Sequence, residues 1–237
     1  MNTVKLIYPY YENPGMLERQ VQNWNRYAGE LRANVQIVLV DDGSPKNPAL
    51  PIFKECKIPK VLYRVKENIP WNQHGARNLG AKVASKEDVW LFMSDMDIIL
   101  TAETAFSLFE KKLSGAHHYT MERTFAPTFT ERKYHCNTFL VRRAVYWQVN
   151  GYDEDYCGTY GGDGAFLRQI DAIAPRRHFK DIVLLGYPDT VVPDANTREW
   201  ERVGEMKDEY RRRFDAKRKS GDERSKNPIR FEWERLL

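Results

Sequence analysis

The sequence predicts an α/β fold: one domain with a mainly parallel central sheet, helices on both faces and a C-terminal helical extension. Three observations predict it. Strand-like and helix-like segments alternate through the first half of the chain, the pattern of a sheet assembled from crossover units. The strand-like runs, such as VQIVLV and VWLFM, are short and almost continuously apolar, as strands covered on both faces must be. Three of these runs end in polar clusters, YPYYE, DDGSP and SDMD, at the end of the strand where open α/β sheets bind their ligands.

TVKLIYPY reads as a strand that stops at Pro9. In ENPGMLERQVQNWNRYAGEL, Leu17, Val21, Trp24 and Ala28 share a helical face, Asn13 can cap it and Pro14 suits its first turn. VQIVLVDDGSP is a strand running into two acids and a turn, and KVLYRV is another strand. WNQHGARNLGAKVAS is helical from about His74, and VWLFMSD is the fourth strand. TAETAFSLFEKKLSG is a helix with Thr101 as its cap and Gly115 as its stop. The second half is less regular. HHYTMERTFAPTFTERKYH has no clear period and reads as a loop or weak ribbon, and CNTFLVRRAVYWQVNGY as a strand and a short helix. DEDYCGTYGGDGAFLRQI is a Gly- and Tyr-rich loop leading into a helix, and DIVLL is one more strand. Trp200, Val203, Tyr210 and Phe214 have the spacing of an amphipathic helix, and the charged tail after Gly221 is expected to be loose.

Composition narrows the function classes. With 42% hydrophobic and 13% aromatic residues the chain can build a core, which excludes global disorder. A net charge of +4 is too mild to argue for nucleic acid by itself. Cys56, Cys136 and Cys157 show no CxxC spacing, so neither zinc nor a disulfide framework is expected. No apolar run reaches the roughly 18 to 20 residues of a membrane span, and the N-terminus lacks the apolar core of a signal peptide. A soluble, cytoplasmic protein is expected.

The acids carry the chemistry. Burying an unpaired carboxylate is costly, so a strand that runs straight into Asp95 and Asp97 needs a reason. Residues i and i+2 of an extended chain point to one side, so both acids can face one object. Adjacent carboxylates repel unless a cation or protons lie between them, and a hard divalent ion that also meets substrate phosphates satisfies both. Alternatively the pair caps a turn. Asp41 and Asp42 can accept hydrogen bonds from a base or ribose, or serve the Asp-Gly-Ser-Pro turn. Arg77 could meet a phosphate, and His74 could face the ligand; both are also ordinary helix residues. Asp163, after two glycines and near a helix start, can act as general base toward a hydroxyl, as N-cap, or as both. Trp147, Tyr152, Tyr156 and Tyr160 offer a stacking platform, with core packing as the competing use.

Together the segments LIYPYYEN, IVLVDDGSP, GARNLGAKVA, FMSDMDIIL and VRRAVYWQVNGYDEDYCGTYGGDGAFLR, in that order, resemble glycosyltransferases of the GT-A fold. The likeness is to the large family two and its galactosyltransferase-like relatives, from about Thr3 to Asp189. It implies one Rossmann-like GT-A domain over 1–195, with 1–100 binding the nucleotide sugar and 101–195 the acceptor, followed by a basic helix and tail over 196–237. It implies a nucleotide-sugar donor, a uridine diphosphate sugar first, with Pro9, Tyr10, Asp41 and Asp42 around the nucleoside and Arg77 and Asn78 also on the donor side. Asp97, assisted by Asp95, would hold Mn2+ or Mg2+ on the diphosphate, with His178 as a further candidate ligand. Asp163 falls where such enzymes place the base of an inverting displacement, and Trp147, Tyr160, Gly161 and Gly162 fall on the acceptor side. The relatives usually carry Glu-Asp after the glycines; here the run is Gly162-Asp163-Gly164, one acid fewer.

The acceptor is a hydroxyl of a glycan, a small molecule or a modified DNA. The usual explanation of the basic run Arg211 to Lys219 is a solvated helix face; the sharper one is a polyanion: DNA with a hydroxymethylated base, a teichoic-type polymer or an anionic membrane surface. Two rival classes are a nucleotidyltransferase using a metal-bound nucleoside triphosphate and a non-catalytic nucleic-acid-binding module. The first lacks a phosphate loop, and the second fits poorly with acids clustered at strand ends.

Overall fold

The computed structural model describes residues 1–84, 89–193, 203–221 and 224–237. Trp200, expected in the last helix, lies outside the described residues.

The alternation expected for the first half is observed. β1 (Val4–Tyr10) leads into α1 (Pro14–Trp24), whose first turn is capped by the Asn13 side chain accepting from Met16 N at 3.3 Å. The chain then breaks before α2 (Gly29–Asn34), so the single helix expected over this stretch is two. β2 (Val35–Asp41), α3 (Leu50–Phe53), β3 (Lys60–Val65), α4 (Gln73–Val83) and β4 (Trp90–Met93) follow. After the short β5 (Ile98–Ile99), α5 (Ala102–Glu110) starts at its Thr101 cap but ends well before Gly115. The stretch expected as a loop or weak ribbon contains β6 (His118–Phe125), a strand in the interior of the sheet. β7 (Lys133–Arg142), α6 (Arg143–Gln148), a 3-10 turn over Glu154–Tyr156, α7 (Asp163–Ile173), β8 (Arg176–Gly186) and α8 (Val203–Ser220) follow.

One sheet of nine strands results, in the order β5-β8-β6-β7-β4-β1-β2-β3-β9, where β9 is Trp233–Arg235. β4, β1, β2 and β3 run parallel, as expected of the first half; β7 then pairs antiparallel with β4, and the whole sheet is mixed. The tail expected to be loose instead adds β9 antiparallel to the β3 edge, with Leu236 N donating to Leu62 O at 2.8 Å. An otherwise bare strand edge is thereby covered. Successive β1 side chains divide between two cores. Leu6, Tyr8 and Tyr10 pack with α1 and α5 residues such as Leu17, Trp24 and Phe109, while Ile7 packs with Leu79 of α4 and Phe166 and Ile170 of α7. The sheet is therefore covered on both faces, which explains its nearly continuous apolar strands. α4 lies so close to β1 that any side chain at Gly80 would collide with Ile7.

The order of strands reverses between β1 and β4, and a crevice opens at their carboxyl ends. The segment after β4 is fixed there by buried side chains of α1 and the residues just after it. Gln20 Nε2 donates to Met96 O and Ile98 O at 3.0 and 2.8 Å, Asn23 Nδ2 to Leu100 O at 2.8 Å, and Tyr27 OH to Leu100 O at 2.6 Å. On the other side Glu154, buried, accepts from Ile229 N at 2.6 Å, Arg230 N at 3.2 Å and Asn78 Nδ2 at 2.8 Å. This carboxylate joins α4, the 3-10 turn and the C-terminal segment. Glu154→Ala strands three donors at once and is expected to cost about 3 kcal/mol, read as a lower urea midpoint at unchanged m-value.

Candidate active site

The crevice is a cleft of about 600 Å³. Pro9, Tyr10, Asn13 and Asp42 line one part of it, Asp95, Asp97 and Asp163 another, and Arg123, His135 and Asn137 of β6 and β7 a third. Trp71, Tyr160 and Gly161 complete the side near α7, where the Trp71 and Tyr160 rings meet edge to face at 5.5 Å.

At its base lies Arg77, fully buried on α4. Its Nη1 donates to Asp163 Oδ1 at 3.0 Å and its Nη2 to Asp95 Oδ1, while its guanidinium lies 5.3 Å from the centre of the Tyr152 ring. The planar fork suits such sharing between two carboxylates. Burial disfavours the charged form of Arg77, but the carboxylates of Asp95 and Asp163 outweigh this and hold it protonated. Asp163 opens α7, where the helix dipole favours a negative charge. Burial works against its ionisation, yet His74, with Nε2 at 3.7 Å, and Arg77 hold its carboxyl below the usual carboxylate range. The chain reaches this point through Gly162 at φ +71, where any side chain would run into the His74 ring.

Asp97 is in the opposite state. Burial, with the charge of Asp95 beside it, pushes its carboxyl up to about 7, against the pull of Arg123 and Arg77. Across the cleft, His135 has Nε2 4.0 Å from Asp95 Oδ2. Burial brings its imidazole down to about 4, with Arg123 and Arg77 in the same direction and Asp95 and Asp163 opposing, so the ring is neutral at pH 7. Among the described residues no three His, Cys, Asp or Glu side chains form a ready-made metal-binding group, and the three cysteines are free.

The structure brings together Pro9, Tyr10, Asp42, Asp95, Asp97, Tyr160, Gly161 and Asp163, with Arg77 directly beneath. Gly162 joins Gly161 to Asp163. Other candidates lie elsewhere. Asp41 is buried and serves the turn, accepting from Ser44 N and Ala49 N at 2.9 Å each. Asn78 uses both its oxygen and its nitrogen on Tyr146, Tyr152 and Glu154, and so braces the loop before α7 rather than facing the cleft. Trp147 packs against the core beside Tyr146. His178 hydrogen-bonds Thr120 Oγ1 at 3.0 Å and Glu122 Oε1 at 2.7 Å across β6 and β8, outside the cleft lining. Much of the basic run on α8 is engaged within the molecule. Arg213 donates to Asp155 O and Cys157 O, Lys217 pairs with Asp153 and Asp155, and Arg211 and Arg212 pair with acids one turn back. Trp71, Arg123 and His135 were not among the candidates. The alternation Tyr119, Thr120, Met121, Glu122 signals a strand here, but the polar run Glu122-Arg123-Thr124 interrupts it where the strand register shifts.

Glycosyl transferase family 2 matches residues 6–166 of the chain. None of the curated proteins matches the sequence. Among solved structures the chain is similar to the mannosyltransferase PcManGT from Pyrobaculum calidifontis in complex with GDP-Man and Mn2+, with TM-score 0.60 and 16% identity over 82% of this chain and 58% of that one. It is also similar to S. aureus TarS 1-349 in complex with UDP-GlcNAc, with TM-score 0.65 and 14% identity over 79% of this chain and 59% of that one. A third is GalNAc-T7 with UDP, GalNAc and Mn2+, with TM-score 0.61 and 15% identity over 92% of this chain and 51% of that one. This chain therefore spans between half and three fifths of the length of these proteins, and the likeness establishes a shared GT-A fold.

Two titrations in the cleft have opposite signs. Asp97, raised from 3.8 to about 7, contributes stability that is present below pH 4 and lost as pH rises to 7. His135, lowered from 6.5 to about 4, contributes stability that is present above pH 6.5 and lost as pH falls to 4. In chelator-treated protein Asp97→Asn is expected to raise Tm at pH 8 above that of the wild type. The variant's Tm should also climb more steeply between pH 4 and 6.5, because only the His135 contribution remains. Parallel Tm profiles for the two proteins would contradict these assignments.

Proposed function

The chain belongs to glycosyl transferase family 2, and we propose that it moves a sugar from a nucleoside-diphosphate sugar, a uridine diphosphate sugar first among them, to a hydroxyl acceptor. The observation that carries this reading is the Arg77 fork, which sets Asp95 and Asp163 on either side of one guanidinium at the carboxyl end of the sheet. The cleft above it has the volume of a small-molecule site.

Pro9, Tyr10 and Asp42 are assigned to the nucleoside, and Tyr160 and Gly161, with Trp71, to the acceptor. Arg77 and His74 both address Asp163 Oδ1, so Oδ2 is assigned to the acceptor hydroxyl. That oxygen takes the proton as the acceptor oxygen attacks the anomeric carbon from the face opposite the diphosphate. The bond from the anomeric carbon to the diphosphate oxygen breaks, the diphosphate leaves, and the configuration inverts. Asp163 is suited to this because its carboxyl stays ionised in the cleft.

The residues present fit a divalent cation. Asp97 and Asp95 stand side by side, and their mutual repulsion is what a cation would remove. With only two carboxylates available, such an ion would complete its shell from phosphate and water, the usual arrangement for magnesium. Two of the similar structures contain Mn2+, one with GDP-Man and one with UDP and GalNAc. When bound, Mn2+ or Mg2+ would neutralise charge on the departing diphosphate. His178, held by Glu122 and Thr120, has no place in this assignment.

The acceptor is assigned only as a hydroxyl. Among the described residues no helix is long and apolar enough to cross a membrane. A polyanionic acceptor would have to use what remains of the α8 charge after Arg213 and Lys217 are turned to the 153–157 loop.

Asp163→Asn is expected to lower kcat by about 10²- to 10⁴-fold while changing the dissociation constant for the donor less than threefold, measured by sugar release and calorimetry. Normal transfer by this variant would refute the base. Asp97→Asn is expected to abolish the Mn2+-dependent part of thermal stabilisation by a nucleoside diphosphate; stabilisation equal to that of the wild type would remove Asp97 from the cation site. The anomeric configuration of the product, read by NMR, should be opposite to that of the donor.

A further inference from the structure

Arg123 lies on β6 with its guanidinium 4.6 Å from the centre of the Phe125 ring, and it lines the cleft. Among the described lining residues it is the only Lys or Arg, in a lining that also contains Asp42, Asp95, Asp97, Asp163 and Asp189. Its Nε is buried and reaches no acceptor. Leaving a buried donor of a charged group unpaired is costly, and it costs more when the group is a cation taken out of water. Arg77, the other guanidinium near these acids, spends its fork on Asp95 and Asp163. Arg123 shares the cleft lining with Asp95 and Asp97, the pair assigned to the cation. The face of Phe125 keeps the planar group from swinging out to water.

We propose that Arg123 is a catalytic residue that clamps the diphosphate of the donor: its N–H groups donate to the non-bridging phosphate oxygens and stabilise the negative charge that develops on the diphosphate as its bond to the sugar breaks. This rests on the donor reading above. A guanidinium fork is matched to phosphate oxygens, and its contribution grows as the leaving group gains charge. It also completes the cleft chemically. Asp95 and Asp97 can address phosphate only through a cation, whereas Arg123 addresses it directly.

Calorimetry on the full chain with Mg2+ present separates this role from a structural one. The probes are uridine monophosphate, uridine diphosphate and inorganic pyrophosphate. For Arg123→Met the affinity for the diphosphate and for pyrophosphate is expected to fall at least tenfold, with that for the monophosphate changed less than threefold. Arg123→Lys keeps the charge, loses the fork and should fall between; it keeps the comparison readable if the Met variant does not fold. Equal losses for all three probes, or none, would overturn the clamp while leaving a nucleotide-binding cleft. Pyrophosphate binding that depends on Arg123, without binding of any uridine nucleotide, would uphold the clamp and refute the uridine donor. Wild-type protein that binds neither pyrophosphate nor the diphosphate would overturn both.

Discussion

Arg77 is a fully buried guanidinium placed between two carboxylates, and the cleft above it is organised around that pairing. A lone buried cation would be unfavourable by several kcal/mol, and so would the carboxylates without it. Together they are mutually required. His74 and the fork together keep Asp163 ionised, and the other branch of the fork holds Asp95. Two nearby carboxyls differ in consequence: burial and the charge of Asp95 push Asp97 up to about 7, while His74 and Arg77 outweigh burial at Asp163 and hold it low.

The position of Arg77 depends in turn on the fold. α4 lies against β1 at Gly80, which brings the helix down to the carboxyl end of the sheet. Asn78, the next residue, braces the loop that leads to α7 and hence to Asp163. Gln20 and Asn23 of α1 fix the segment that carries Asp95 and Asp97. The C-terminal segment closes the arrangement from outside, with Glu154 binding its backbone and β9 covering the β3 edge. Buried polar side chains of this kind fix a loop more narrowly than apolar packing can, because each unmade hydrogen bond carries a penalty.

The parallel half of the fold was legible in the sequence because its strands are apolar on both faces and its helices carry caps, such as Asn13 and Thr101, that the structure uses. The acids were legible too: Asp95 and Asp97 follow an apolar strand run, and Asp163 follows a glycine pair at the start of a helix. What remained hidden is non-local. β6 alternates Met121, buried, with Glu122, partly exposed, and its pairing with β7 and β8 cannot be read from its own residues. Asp41 and Asn78 have the same chemistry as the acids and amides that line the cleft, and only their partners show that they brace the turn and the loop. His135 and Arg123 come from the antiparallel half and meet the acids through contacts far apart in sequence.

The pairing at Arg77 can be examined directly through the protons it governs. A carbon-13 NMR titration of the aspartate side chains in the cation-free protein, assigned by single substitutions, follows Asp163 and Asp97 separately. The account predicts that Asp163 titrates below the range of a free aspartate and Asp97 near neutrality. An Asp163 carboxyl that titrates at or above the free value, with Asp97 behaving as an ordinary surface acid, would contradict it.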